Sequence, residues 1–117
     1  MERARNCSFG KSAAYTMTRK KYQDITLSQM KEIRQRPEAV MVDVREPWEF
    51  EEFNEGGVNI PLSKIRSQRE CLAPYDTIIV ICTNGTRSKV AAMDYCRVAA
   101  WADKDIYHLQ GGILEVE

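Results

Sequence analysis

The sequence predicts an α/β fold, a small three-layer domain with a mainly parallel central sheet flanked by helices. Three observations carry that expectation. Short β-branched runs alternate with stretches of helical periodicity from Tyr22 onward, which is how successive βα units read. Two of the runs, Ala39-Val-Met-Val-Asp-Val44 and Thr77-Ile-Ile-Val-Ile-Cys82, are almost continuously apolar, as strands buried on both faces must be. The length of 117 residues, 44% of them hydrophobic, suits one domain with a real but modest core.

The elements follow in order. Asp24-Ile25 predicts a short strand. Thr26-Leu-Ser-Gln29 has the form of a capping box, Thr26 as N-cap and Gln29 reaching back. Leu27, Met30 and Ile33 recur at a spacing of three on one face of a short helix, and Pro37 ends it. After the strand 39–44, Pro47 is suited to the first helical position, with Trp48-Glu-Phe-Glu-Glu52 supplying one or two turns. Val58-Asn-Ile60 predicts a short strand closed by Pro61. A short polar helix is expected over Leu62–Cys71, and a turn at Pro74-Tyr-Asp76. Thr77–Cys82 opens with five β-branched residues in a row and is expected at the centre of the sheet. Asn84-Gly85 breaks it. From Ser88, the residues Val90, Ala91, Ala92, Cys96, Val98 and Ala99 give a broad apolar helix face ending near Trp101. Ile106-Tyr-His-Leu109 is the last strand, and Gly111-Gly112 opens a final turn.

The formal net charge is zero, so no global field draws nucleic acid or an anionic membrane. Residues 1–21 carry a net +5 and residues 22–117 a net −5. The first segment lacks periodicity and is expected to be a flexible basic N-terminal tail; the second is the folded domain, whose acidic body must build any anion site locally. No apolar run is long enough to span a bilayer, and nothing at the N-terminus resembles a secretory signal. Cys7, Cys71, Cys82 and Cys96 form no paired spacing and His108 is the only histidine, so no zinc site is expected. A reducing, cytoplasmic setting is the default expectation, and there the cysteines are thiols.

The chemistry is expected in Cys82-Thr-Asn-Gly-Thr-Arg-Ser88. This segment follows a buried strand and precedes a helix, at the carboxyl edge of the sheet where ligands bind in open α/β folds. A helix N-terminus presents unpaired amides and the positive end of its dipole. Gly85 permits a left-handed turn, so successive amides can face inward as an anion nest. Arg87 adds a full positive charge. Together these favour a thiolate, the nucleophilic form of cysteine, without a histidine base. Among the remaining candidates, Cys96 is read as a core thiol, Cys71 as exposed at a helix end, and His108 as structural. Trp48, Phe50 and Phe53 are read as core packing, and the acidic cluster Glu49–Glu55 as a solvated face.

From Gln23 onward the sequence resembles a single rhodanese-like domain. Cys82-Thr-Asn-Gly-Thr-Arg-Ser88 matches the family pattern C-x-x-G-x-R-S. Val42-Asp-Val-Arg-Glu-Pro47 matches D-V-R-E-P, followed by Glu49-Phe50. Gly56-Gly-Val-Asn-Ile-Pro-Leu62 matches G-A-x-N-I-P-L, and Leu109-Gln-Gly-Gly-Ile113 matches L-x-G-G-I. The resemblance implies a sulfurtransferase that moves a sulfane sulfur from a small donor such as thiosulfate to a thiol or cyanide, with no metal and no organic cofactor. Cys82 would be nucleophile and persulfide carrier. The amides of Thr83, Asn84, Gly85, Thr86, Arg87 and Ser88 would cradle the terminal sulfur. Arg87 would hold the anionic donor, and Asp43 and Arg45 would brace the loop. A sulfur-accepting protein is a further partner to consider, and a persulfide relay or regulatory module with little turnover is the alternative. Phosphatases and arsenate reductases of this fold have a cysteine–arginine loop one residue longer; Cys82 to Arg87 spans six residues, which suits a single sulfur.

Three features depart from the family pattern. Phe53-Asn54-Glu55 stands where many relatives have a histidine. Ala102-Asp103 must make a turn often made by glycine. Val116 stands where tryptophan is common, and with the chain ending at Glu117 the closing helix is expected to be absent or barely one turn.

Overall fold

In the computed structural model, residues 20–114 are described. Their strands are β1 (Gln23–Ile25), β2 (Ala39–Asp43), β3 (Val58–Asn59), β4 (Thr77–Ile81) and β5 (Asp105–Leu109), with α1 (Leu27–Ile33), α2 (Pro47–Glu52) and α3 (Thr86–Tyr95) between them. Residues 1–19 of the tail assigned to residues 1–21, with Cys7, lie outside the described residues, as do Val116 and Glu117.

All five strands are parallel in the order β1-β5-β4-β2-β3. β4 therefore lies at the centre, and each of its residues is buried, which is why its sequence carries no polar alternation. Side chains alternate across the sheet. Val40, Val42, Ile78, Val80 and Cys82 face α3 with Ala91, Ala92 and Tyr95. Met41, Ile79, Ile81, Leu109 and Ile113 face α1 with Met30 and Ile33. The capping box at Thr26 forms as predicted, with Gln29 N donating to Thr26 Oγ1 at 3.2 Å and Thr26 N to Gln29 Oε1 at 2.9 Å.

Three expectations change. The polar helix over Leu62–Cys71 is instead two 3-10 turns, Leu62–Lys64 and Arg69–Leu72. Leu62 and Ile65, three apart, turn toward the core, a spacing the three-residue 3-10 period serves. The helix after the loop begins at Thr86 and ends at Tyr95. Val98 is extended and a 3-10 turn over Ala99–Trp101 follows, bringing the Trp101 ring within 5.6 Å of Tyr95. Lastly, α2 buries none of its residues. Trp48 and Phe53 are 61% and 53% exposed, because polar bonds hold this short helix, not apolar packing.

The turn after Trp101 manages without glycine. The Lys20 ammonium donates to the carbonyls of Trp101 at 2.9 Å and Ala102 at 3.1 Å, and to that of Lys104. Lys20, placed by the sequence in the basic tail, is thus tied to the domain. Among the described residues no helix is long and apolar enough to cross a membrane.

Candidate active site

Cys82 follows β4 at the carboxyl edge of the sheet and points to the α3 face, where it is fully buried (0% exposed). The chain then reverses through Gly85, at φ 91° and ψ −8°, which is the residue preceding α3. A left-handed residue here lets the loop fold back over its own cysteine. The Gly85 amide donates to Cys82 Sγ at 3.1 Å and the Ser88 amide at 3.3 Å. Ser88 Oγ, also buried, lies 3.3 Å from the sulfur. Two N–H dipoles at the start of a helix are therefore aimed at one sulfur, an arrangement that favours negative charge there.

The other loop residues are placed differently. The Thr86 amide donates to Asn84 Oδ1 at 3.1 Å, so it is turned to the Asn84 side chain. The Thr83 carbonyl accepts from Leu114 N at 3.2 Å, and the Cys82 carbonyl from Ile113 N at 3.0 Å. Those two bonds give the end of the closing L-x-G-G-I segment and the residue after it their part: their backbone braces the first two residues of the loop. Gly112 permits the approach, since a Cβ there would meet the Thr83 carbonyl oxygen at 2.1 Å.

Arg87 projects to α2. Its Nη1 and Nη2 donate to Glu49 Oε1 and Oε2 at 2.7 and 3.1 Å. The hydrogen bonds from Arg87 pull the Glu49 carboxyl down to about 2, and the same pair raises the Arg87 guanidinium further. Glu49 Oε1 also accepts from Glu46 N at 2.8 Å, closing a capping box on α2. The sequence places Glu49 on a solvated acidic face, whereas the structure pairs it with Arg87. The available signal was its fixed place after D-V-R-E-P, one turn into a helix whose start abuts the loop.

Asp43 and Arg45 form a buried ion pair. Arg45 Nη2 lies 2.9 Å from Asp43 Oδ2, Arg45 Nε lies 3.0 Å from Oδ1, and the Arg45 amide donates to Oδ1 at 3.0 Å. Arg45 Nη2 also donates to the Phe53 carbonyl at 2.5 Å, so the guanidinium joins the end of β2 to the end of α2. Asn59 Nδ2 donates to the carbonyls of Asp43 and Arg45, both at 3.0 Å, a cross-strand tie that the sequence did not single out. The pair thus stands behind α2, which in turn holds Arg87. Phe53, at the position of the missing histidine, is engaged through its carbonyl while its ring is exposed.

The other thiols sit apart from this arrangement. Cys96 is buried beside α3, and burial pushes its thiol up. Cys71 is exposed and its Sγ donates to the Gln68 carbonyl at 3.0 Å. Cys71, Cys82 and Cys96 are all free.

Comparison with known proteins agrees with this architecture. The chain superposes on a rhodanese-related protein from Thermoplasma volcanium with a TM-score of 0.65 and 28% identity, over 79% of this chain and 87% of that one. It is similar to the single-domain sulfurtransferase RDL2 of Saccharomyces cerevisiae, with a TM-score of 0.60 and 24% identity over 85% and 91% of the two chains. A protein of unknown function from Rhodopseudomonas palustris, described as a possible tyrosine phosphatase, shares the fold with a TM-score of 0.66 and 19% identity over 78% and 76%. No curated protein sequence matches the chain. The profile of the rhodanese-like domain matches residues 26–117, which takes in every segment of the site just described, and the chain accordingly belongs to the rhodanese-like domain family.

Proposed function

We propose that this protein is a sulfurtransferase working through a persulfide on Cys82. The Cys82 thiolate attacks the outer sulfur of a donor such as thiosulfate; the sulfur–sulfur bond of the donor breaks and sulfite leaves with the electron pair. An acceptor thiolate or cyanide then attacks the terminal sulfur of the persulfide. The Cys82 thiolate is released, with an acceptor persulfide or thiocyanate as product. The observation that carries this reading is the convergence of the Gly85 and Ser88 amides on Cys82 Sγ at 3.1 and 3.3 Å within a six-residue cysteine-to-arginine loop. A tight cradle of this kind stabilises charge on one sulfur and lacks the extra residue that widens the loop for a tetrahedral oxyanion. The test pairs thiocyanate formation from thiosulfate and cyanide with intact mass. Turnover and a mass gain of one sulfur atom are expected in the wild type and absent in Cys82→Ser; identical behaviour of the two proteins would reject the mechanism.

A relay role with little free turnover is the second reading, supported by the Arg87–Glu49 pair. With the guanidinium held by a carboxylate, the loop offers a dianionic donor no uncompensated cation, so sulfur presented by a protein persulfide becomes the better match. Rapid loading in a single turnover with negligible multiple turnover on thiosulfate would favour it. Thiosulfate turnover as fast as loading would remove it.

A further inference from the structure

His108 in β5 is buried, at 4% exposure, and its ring is held at both nitrogens. Nε2 lies 2.9 Å from the carbonyl oxygen of Gly85, and Nδ1 lies 2.8 Å from Oδ1 of Asp24 in β1. A carbonyl oxygen only accepts, so Nε2 carries a hydrogen and donates it. The Asp24 carboxylate beside Nδ1 holds the opposite side of the ring. The Tyr22 ring meets the imidazole edge-on at a centroid distance of 5.4 Å, and Lys89 lines the same cleft from α3.

The carbonyl that His108 holds belongs to the residue whose amide faces the sulfur. Gly85 gives its N–H to Cys82 Sγ and its C=O to His108, with a second bond to that oxygen from Lys89 N at 3.2 Å. Gly85 has no side chain to fix it and stands in the left-handed region. Rotation about its two backbone bonds re-aims its own amide and the first turn of α3, which carries the Ser88 amide. Without the imidazole, the weakly restrained start of the helix alone would hold the carbonyl.

We propose that His108, itself oriented by Asp24, is a positioning residue for Cys82. It locks the Gly85 peptide so that the Gly85 and Ser88 amides stay aimed at the sulfur. His108 touches no reacting atom. The proposal rests on Cys82 being the reactive group, and it applies to any chemistry that uses its thiolate.

The test is the rate of Cys82 alkylation by iodoacetamide in the full-length protein, followed across pH, with the modified peptide identified by mass spectrometry. His108→Phe keeps a ring and loses both nitrogens. His108→Gln loses the ring and keeps a donor at the depth of Nε2. Losing one well-placed hydrogen bond is expected to slow alkylation of the Phe variant at neutral pH about tenfold and displace its pH profile upward, whereas the Gln variant stays within about threefold of wild type. A folded Phe variant with unchanged rate and profile, or Gln and Phe variants equally impaired, would overturn the assignment. Asp24→Ala is measured in parallel, because its half-exposed side chain is outside the core. A shift in the same direction of about two- to threefold is expected there, and an unchanged rate and profile would also overturn it. Alkylation needs no sulfur donor. Fast, His108-dependent alkylation with neither thiocyanate formation nor a sulfur adduct on Cys82 would therefore reject the sulfurtransferase reading and leave this one standing.

Discussion

Arg87 and Glu49 dock the sulfur loop onto α2 through two parallel hydrogen bonds, 2.7 Å between Nη1 and Oε1 and 3.1 Å between Nη2 and Oε2. Fork-to-fork pairing of this kind fixes direction as well as charge. The only cation of the loop is thereby neutralised.

Glu49→Gln keeps the size of the side chain and an acceptor for Glu46 N, and removes the charge. Arg87 is then an uncompensated cation beside Cys82. KM for thiosulfate is expected to fall about two- to fivefold, the range of a partly exposed ion pair, with little change in kcat. The difference should shrink at high salt. Steady-state kinetics at two ionic strengths check this; an unchanged KM would mean that Arg87 does not face the donor.

The same pair sets an acid limit on stability. The Glu49 carboxyl is lowered from 4.5 to about 2 in the folded protein, chiefly by hydrogen bonds from Arg87. A depressed carboxyl contributes stability above its unfolded value, and that contribution disappears as pH falls through the folded value. Part of the stability, about 1 kcal/mol after allowance for solvent screening, is therefore expected to be lost as pH falls from 4.5 to about 2. Urea unfolding of wild type and Glu49→Gln along this range should show the two curves converging at the acid end.

Two glycines with similar backbone angles should respond differently to alanine. At Gly112, φ is +79° and a Cβ would collide with the Thr83 carbonyl and Asn84 N at 2.1 and 2.5 Å. At Gly56, φ is +92° and nothing lies within 4 Å of the added carbon. Gly56→Ala should lose about 1–2 kcal/mol through backbone strain alone. Gly112→Ala adds displacement of the loop, so about 3 kcal/mol and a marked slowing of Cys82 alkylation are expected. Denaturation midpoints and alkylation rates separate the two effects.

What the sequence made legible were features with a local cause. The runs at Ala39 and Thr77 could only be buried strands, Thr26 and Gln29 carry their own cap, and Cys82, Gly85 and Ser88 lie close enough in the chain for loop geometry to bring them together. Contacts between distant elements were not legible. Glu49 is thirty-eight positions from Arg87, and among neighbouring glutamates it looked like solvated charge until the fold set α2 against the loop. His108, within the last strand, reads as structural from the sequence; that its imidazole reaches Gly85 follows from β5 lying beside β4. The helix expected over Leu62–Cys71 failed because polarity and length say little about which turn type a short connection adopts. Trp48 and Phe53 failed because aromatic character alone does not require burial when polar anchors hold a short helix.

The pair Asp43–Arg45 allows a test of bracing against simple stability. Both side chains are buried, at 0% and 6% exposure, and Arg45 also holds the Phe53 carbonyl at the end of α2. Arg45→Met strands the Asp43 carboxylate in the interior, and such a loss typically destabilises by about 3–5 kcal/mol. Adding Asp43→Leu removes the stranded charge, so the double variant should recover a large part of that loss. Thermodynamic stability and loop function are then expected to diverge. The double variant still lacks the bond to Phe53, so α2 is less firmly held and Glu49 positions Arg87 less well. Its KM for thiosulfate should therefore differ from wild type even where its unfolding midpoint approaches it, while kcat, governed by Cys82 and the amides of Gly85 and Ser88, changes little. A double-mutant cycle in urea combined with steady-state kinetics separates the two readouts; recovery of KM in step with stability would show that the pair supports the fold and does not position the loop.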